Sequence, residues 1–224
     1  MLIQYEPCLL FDIDGTLVDT DKVHIIAFNE IMGRYGVHVD EEVYRHRISG
    51  RMNGDILADL LPDISSADHV AIGREKEALF RSLAGDIQPI AGLIDLLDWA
   101  DSVGLRYAAV TNAPKENAEL VLASLQATKR FSAVILSDDL DHAKPHPLPY
   151  LTGLTRLNGD ATQSVAFEDS KSGVTSASAA GLGVIGLTTS LDDKTLRSFG
   201  AQITAPDYHS AELRRFIEYR TGKR

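Results

Sequence analysis

The 224 residues are 44% hydrophobic and 24% charged, an ordinary globular mix that excludes disordered, collagen-like and disulfide-scaffold classes. Taking 22 basic from 32 acidic residues leaves a net charge of −10, a field that repels nucleic-acid backbones but still allows a small anion in a locally positive pocket. The length exceeds one typical domain and falls short of two, which suits a single α/β domain carrying an insertion.

The chain opens on Met1-Leu2-Ile3-Gln4-Tyr5-Glu6-Pro7, which lacks the basic start and long apolar run of a signal peptide. No window of about 18 residues is free of charged and strongly polar side chains, so no membrane span is expected. The lone Cys8 has no partner for an internal disulfide and reads as a small buried hydrophobe. A soluble cytoplasmic protein is expected, without nucleic-acid or membrane partners. It is read as a monomer, with a dimer as the alternative.

Short, nearly continuous apolar runs predict strands at Cys8–Ile13, Leu105–Thr111, Ala133–Ser137, Ser164–Glu168, Gly183–Leu187 and Ala201–Thr204. Helices are predicted at Gly92–Ser102, Lys115–Gln126, Pro147–Arg156 and Ser172–Ala180, with Pro114 and Pro147 at tolerated first-turn positions. Strands alternating with helices imply a parallel sheet with helices on both faces. Thr20–Asp86 breaks the rhythm: Val23, Ala27, Ile31 and Tyr35 recur every four residues, and no strand pattern appears. The block holds roughly four helices by this reading, more chain than a crossover needs. The expected division is a Rossmann-like α/β core of 1–19 and 87–224, with an inserted all-helical subdomain over 20–86.

Chemistry concentrates at Phe11-Asp12-Ile13-Asp14-Gly15-Thr16, where an apolar strand ends in two aspartates one residue apart. Turn punctuation accounts for Asp-Gly but not for the second aspartate, and carboxyl ends of parallel strands are where ligands bind. Three further elements follow in order, each at a strand end or nearby loop: Val110-Thr111-Asn112, Lys144-Pro145-His146-Pro147 and Phe167-Glu168-Asp169-Ser170 with Gly173. As a set they resemble the haloacid dehalogenase-like phosphohydrolases, and the resemblance covers essentially the whole chain.

That resemblance implies a hydrolase that transfers phosphate from a small phosphorylated metabolite to Asp12 and then to water, with Asp14 as general acid and base. It implies Mg²⁺ as cofactor, held by Asp12, Asp14, Asp169 and Glu168, and phosphate binding by Thr111, Asn112 and Lys144. The dehalogenase branch typically lacks the second aspartate, so Asp14 favours ester chemistry. The helical insert is expected to form a cap over the site. The closest resemblance is to the β-phosphoglucomutase-like and sugar-phosphate phosphatase branch, which implies cap residues His24, Arg51 and Lys76 as substrate contacts. The mutase binds a second phosphate with an arginine where Asn53 stands here, so a phosphatase is preferred over a phosphosugar mutase. A phospho-accepting receiver lacks the insert, and a non-catalytic binding protein would not need every site residue.

Two other patterns carry less. Gly181-Leu182-Gly183-Val184-Ile185-Gly186 matches a dinucleotide fingerprint, but here a helix precedes it and the strand lies inside it, the reverse of the required order. His142 and His146 have zinc-pair spacing, but Pro145 breaks the helix such a pair needs, leaving loop histidines that face solvent.

Overall fold

The computed structural model describes residues 5–85 and 87–224. Met1–Gln4, part of the stretch read for a leader, and Asp86, the expected end of the helical block, lie outside them. Six parallel strands form one sheet in the order β3-β2-β1-β4-β5-β6: β1 Cys8–Phe11, β2 Arg106–Thr111, β3 Ala133–Leu136, β4 Val165–Glu168, β5 Gly183–Leu187 and β6 Ile203–Ala205. Every expected strand is present. The first ends two residues early, at Phe11, although the Asp12 N–H still donates to the Phe167 carbonyl at 3.1 Å.

Alternation along each strand supplies two cores. Leu9 and Phe11 of β1 face one, where Phe11 stacks on Phe167 at 4.4 Å between centroids, under α5 (Leu93–Ser102), α6 (Lys115–Ser124) and α10 (Ala211–Thr221). Cys8 and Leu10 face the other, under α7 (Leu148–Leu157), α8 (Lys171–Ala179) and α9 (Asp193–Phe199). Cys8 is buried, as its surroundings in the sequence imply. The helices α9 and α10, absent from the sequence reading, start at side-chain caps: Asp192 accepts from the Thr195 N–H and Ser210 from the Leu213 N–H.

Between β1 and α5 the chain is helical. It comprises α1 (Asp21–Met32), a three-residue turn α2 (Glu41–Val43) that widens into a π turn at Tyr44–Ile48, α3 (Asn53–Leu60) and α4 (Ser66–Leu83). Three full helices and one short bent segment thus stand where four helices are expected. Asn29 bonds the Val39 backbone through both its amide groups, which fixes the loop that shortens the second helix. The block has an apolar cluster of its own, with Phe28, Ile31, Met32, Tyr44, Ile56, Leu57 and Ile72, separate from the two sheet cores. No helix among the described residues is long and apolar enough to cross a membrane.

Gly181 takes a left-handed φ of 84° between α8 and β5, so the apparent dinucleotide fingerprint is a helix-to-strand turn. His142 and His146 are both exposed.

Candidate active site

The strand order reverses direction at β1 and β4, and a sheet of this kind opens a crevice at that point. Asp12 leaves β1 there, and Glu168 and Asp169 leave β4 beside it. After Asp12 the chain turns sharply: the Gly15 N–H donates to the Val18 carbonyl at 2.7 Å, with Gly15 at φ 74°. Glycine is needed twice over at this position, because a Cβ would overlap the Asp169 carboxylate.

Lys144 reaches into the crevice from the loop between β3 and α7, and its peptide bond to Pro145 is cis. Its Nζ donates to Asp12 Oδ1 at 2.7 Å, Glu168 Oε1 at 2.6 Å and the Val110 carbonyl at 2.7 Å, which uses all three ammonium protons. Glu168 also accepts from the Tyr150 hydroxyl at 2.5 Å and from Ser170 at 3.3 Å. Asp169 accepts from Thr16 at 3.3 Å and from Ser190 at 2.5 Å.

The charges do not balance. Asp12, Glu168 and Asp169 offer oxygens within 4.8 Å of one another, all buried, against one ammonium. Burial pushes the Asp12 carboxyl up to about 8 against the pull of Lys144, with Glu168 adding to the rise. Burial, then the charges of Asp12, Asp21 and Glu168, hold Asp169 well above the usual carboxylate range. Although burial pulls Lys144 down, Asp12 and Glu168 raise it overall, so it stays charged. A cluster of hard carboxylate oxygens with surplus negative charge fits a divalent cation. Asp12 Oδ2 accepts no hydrogen bond and Asp169 meets no cation among the described residues, so these two are best placed to hold it, whereas Glu168 is largely occupied by Lys144, Tyr150 and Ser170.

Asp14 faces the other way. Its Oδ1 accepts from Thr20 at 2.6 Å and lies 3.4 Å from His24 Nε2, so its carboxylate stands outside the acidic cluster in which the sequence reading placed it. Burial acts to raise its pKa, but the hydrogen bond and charge of His24, with Thr20 and Lys76, hold it below the ordinary value.

Thr111 ends β2 and is buried. Its Oγ1 accepts from the Ala113 N–H at 2.9 Å, which leaves the hydroxyl proton to donate into the crevice. The neighbouring Asn112 is committed elsewhere. Its Nδ2 donates to the Gly50 carbonyl at 2.9 Å and the Lys144 carbonyl at 3.3 Å, and its Oδ1 accepts from the Lys144 N–H. It ties the helical block and the lysine loop together.

Of the helical-block residues, His24 is buried and stacked on Phe80, 3.9 Å between centroids, and Lys76 is buried with Nζ 3.5 Å from His24 Nδ1. Both line the same cavity as Asp12, Thr111 and Lys144. Arg51 also lines it, but its guanidinium donates to Asp59 and to the carbonyls of Arg47 and Asp55. Asn53 bonds to Glu77 at 2.7 Å.

Several residues in these contacts go unnoticed in the sequence. Ser190 follows β5 at a strand end, where the rule that found Thr111 applies equally. Thr20 lies six residues beyond Asp14 in the approach to α1. Tyr150 and Glu77 give no signal, because one reads as core and the other as an ordinary helix surface.

Comparisons with known proteins agree with the geometry. The sequence profile of the haloacid dehalogenase-like hydrolases matches residues 9–187. The chain is 32% identical over 200 residues to the phosphorylated carbohydrates phosphatase of Thermotoga maritima, covering 86% of this chain and 91% of that one. It is 34% identical over 186 residues to the fructose-1-phosphate phosphatase of Escherichia coli, covering 79% and 94%. Among solved structures, a variant of CbbY from Rhodobacter sphaeroides in complex with xylulose-(1,5)bisphosphate aligns with a TM-score of 0.81 at 27% identity, over 91% of this chain and 95% of that one. The Asp12–Asp14 turn, Thr111, Lys144 and the Glu168–Asp169 pair lie within the matched span, and the chain belongs to the haloacid dehalogenase-like hydrolase family.

Proposed function

We propose that the protein is a cytoplasmic, Mg²⁺-dependent phosphatase of small phosphorylated metabolites, sugar phosphates foremost, working through a phosphorylated Asp12. The observation that carries this reading is the placement of Asp12, with Lys144 at 2.7 Å, in a buried carboxylate cluster that opens on a cavity shared with the helical block. The names of the Thermotoga and Escherichia relatives support the substrate class.

Asp12 and Asp169 would hold the ion. When bound, Mg²⁺ would offset the repulsion between the Asp12 carboxylate and a phosphate dianion. The Thr111 hydroxyl donates to the phosphoryl oxygens and Lys144, its three protons held by Asp12, Glu168 and Val110, offers them its positive charge, while Asn112 acts through its clamp on Gly50 and the lysine loop. Asp12 Oδ forms a bond to phosphorus as the ester P–O bond breaks, and Asp14, which enters this step as the carboxylic acid after taking a proton from solvent, gives that proton to the departing oxygen and is left as the carboxylate. Asp14 then takes a proton from the water that attacks the acyl phosphate, which frees Asp12 and inorganic phosphate. His24 and Lys76 hold Asp14 as the ionised base for that second half. The buried cap side chains exclude bulk water around it.

The second reading, a phosphosugar mutase, needs a clamp for a distal phosphate. Asn53 stands where that arginine is expected, and Arg51 is engaged with Asp59. The test is inorganic phosphate release from a panel of phosphate monoesters with Mg²⁺, alongside β-glucose 1-phosphate with a trace of the 1,6-bisphosphate. Phosphate release with little glucose 6-phosphate is expected. Glucose 6-phosphate accumulating without phosphate release would make the protein a mutase.

A further inference from the structure

A buried acid in the cap takes no part in the chemistry above. Glu77 on α4 is 5% exposed and lines the cavity over Asp12. Glu77, Asn53, Asn112 and Pro114 also line a larger groove beyond it, so they form the wall between the two. Oε1 of Glu77 accepts from Lys76 at 2.5 Å and from Asn53 at 2.7 Å, and Oε2 accepts from Asn117 Nδ2 at 2.7 Å. Asn117 is itself held by Arg81 at 2.8 Å.

We infer that Glu77 determines substrate specificity: with Asn53 it reads the far end of the substrate, accepting hydrogen bonds from a polyhydroxylated, uncharged leaving group and rejecting a second phosphate. This rests on the phosphatase reading and names the substrate class within it.

Lone-pair counting supports the assignment. A carboxylate has about four acceptor sites, and three of those on Glu77 are filled, which leaves one on Oε2. The Asn53 carbonyl oxygen accepts no hydrogen bond among the described residues. The wall therefore presents acceptors, which suit hydroxyl donors. A phosphate dianion brings only acceptors and meets an ionised carboxylate. Burial acts to neutralise Glu77, but Lys76, His24 and Asn53 keep its pKa below the ordinary value. Nor is a lysine or arginine left over for a distal phosphate among the described residues that line the cavity over Asp12, whereas Arg74 and Arg81 line only the groove beyond it. Lys76 is paired with Glu77, Arg51 with Asp59, and Lys144 with Asp12 and Glu168.

The experiment compares kcat/KM for fructose 1-phosphate, fructose 1,6-bisphosphate and p-nitrophenyl phosphate, in the wild type, Glu77→Gln and Glu77→Asp. The wild type should prefer the monophosphate over the bisphosphate by roughly tenfold or more, as expected when a site built of acceptors meets a ligand without donors. Glu77→Gln should narrow that ratio by roughly tenfold and lower the sugar ester's rate more than the nitrophenyl ester's, because it loses the charge. Glu77→Asp should keep the preference against the bisphosphate. A wild type that prefers the bisphosphate, or a Glu77→Gln variant that slows all three esters by a common factor, would overturn the inference and leave Glu77 as a support for Lys76. Titration calorimetry of the two fructose esters into Asp12→Asn reads the same preference without turnover. Loss of all hydrolysis in the wild type would therefore defeat the phosphatase reading, while the binding order, monophosphate tighter or not, still decides the role of Glu77.

Discussion

Lys144→Met removes the one ammonium that serves three buried acceptors and keeps a side chain of similar length. Breaking a buried ion pair by deleting one partner costs about 3–5 kcal/mol. The lower end applies here. Asp12 already sits near 8 with the ammonium beside it, so without it the carboxyl is neutral at pH 7 and escapes most of the penalty. Glu168 keeps the Tyr150 and Ser170 hydroxyls and carries the remaining loss, with the Val110 carbonyl. A loss of about 3 kcal/mol corresponds to a drop in Tm of roughly 6–12 °C for a chain of this size.

Calorimetric melts in EDTA at pH 7 measure it. Because the variant carries one more uncompensated negative charge, millimolar Mg²⁺ should raise its Tm by more than it raises that of the wild type. Turnover should fall with it, since the same ammonium is assigned to the phosphoryl oxygens. A variant that melts within about 2 °C of the wild type in EDTA would refute the charge accounting. One that gains no more from Mg²⁺ would refute the cation site.

Asp12→Asn should reduce phosphate release to background, because an amide is a poor nucleophile; release within tenfold of wild type in a steady-state assay removes Asp12 from that role. His24→Ala should raise the pKa of Asp14, whose carboxylate His24 holds down, so the acidic limb of the kcat–pH profile moves to higher pH; an unmoved limb would show that Asp14 is not the base. In EDTA, stability should decline as pH rises from about 4 to 8: Asp12 and Asp169 bind protons more tightly folded than unfolded, so the folded state loses ground as they ionise. Urea midpoints across that range check the slope, which Mg²⁺ should flatten, and a midpoint rising with pH in EDTA would contradict it.

What was legible in the sequence follows from what is local. Each strand is a short apolar run wherever it sits in the chain, so all six are visible, the partly exposed edge strand β3 included. The motif residues fell at their ends because a parallel sheet puts every strand's carboxyl end on one side. The helix α10 was not visible because its buried side is only Leu213, Ile217 and Thr221 among charged neighbours. The loop that leads into α2 is hidden because it depends on Asn29 bonding a backbone ten residues away. Burial of charge was the least legible property. Lys76 and Glu77 look like any solvated helix face, and only the packing of α4 against α1 and α3 over the crevice turns them inward. Arg51 shows the converse: its place in the sequence suggests a substrate contact, and its guanidinium is bonded to Asp59 and to the Arg47 and Asp55 carbonyls.

The contacts between the helical block and the core fall on the site's own residues. Asn112 and Ser172 both donate to the Gly50 carbonyl, at 2.9 and 2.5 Å. Gly50 must be a glycine, since its φ is 71° and a Cβ would collide with Ser170 and Ser172. His24 meets Asp14, and Glu77 meets Asn117. Ser170, which caps α8 through the Gly173 N–H, also donates to Glu168, and Glu168 holds Lys144. The surface that seats the cap is therefore the surface that orders the phosphate donors. One set of hydrogen bonds serves both, so the role proposed for Asp14 as base and the walls proposed to select the leaving group depend on the same docking. The residues assigned above to chemistry and those assigned to substrate are accordingly interleaved along α1, α4 and the strand ends, and are not divided between the two parts of the chain.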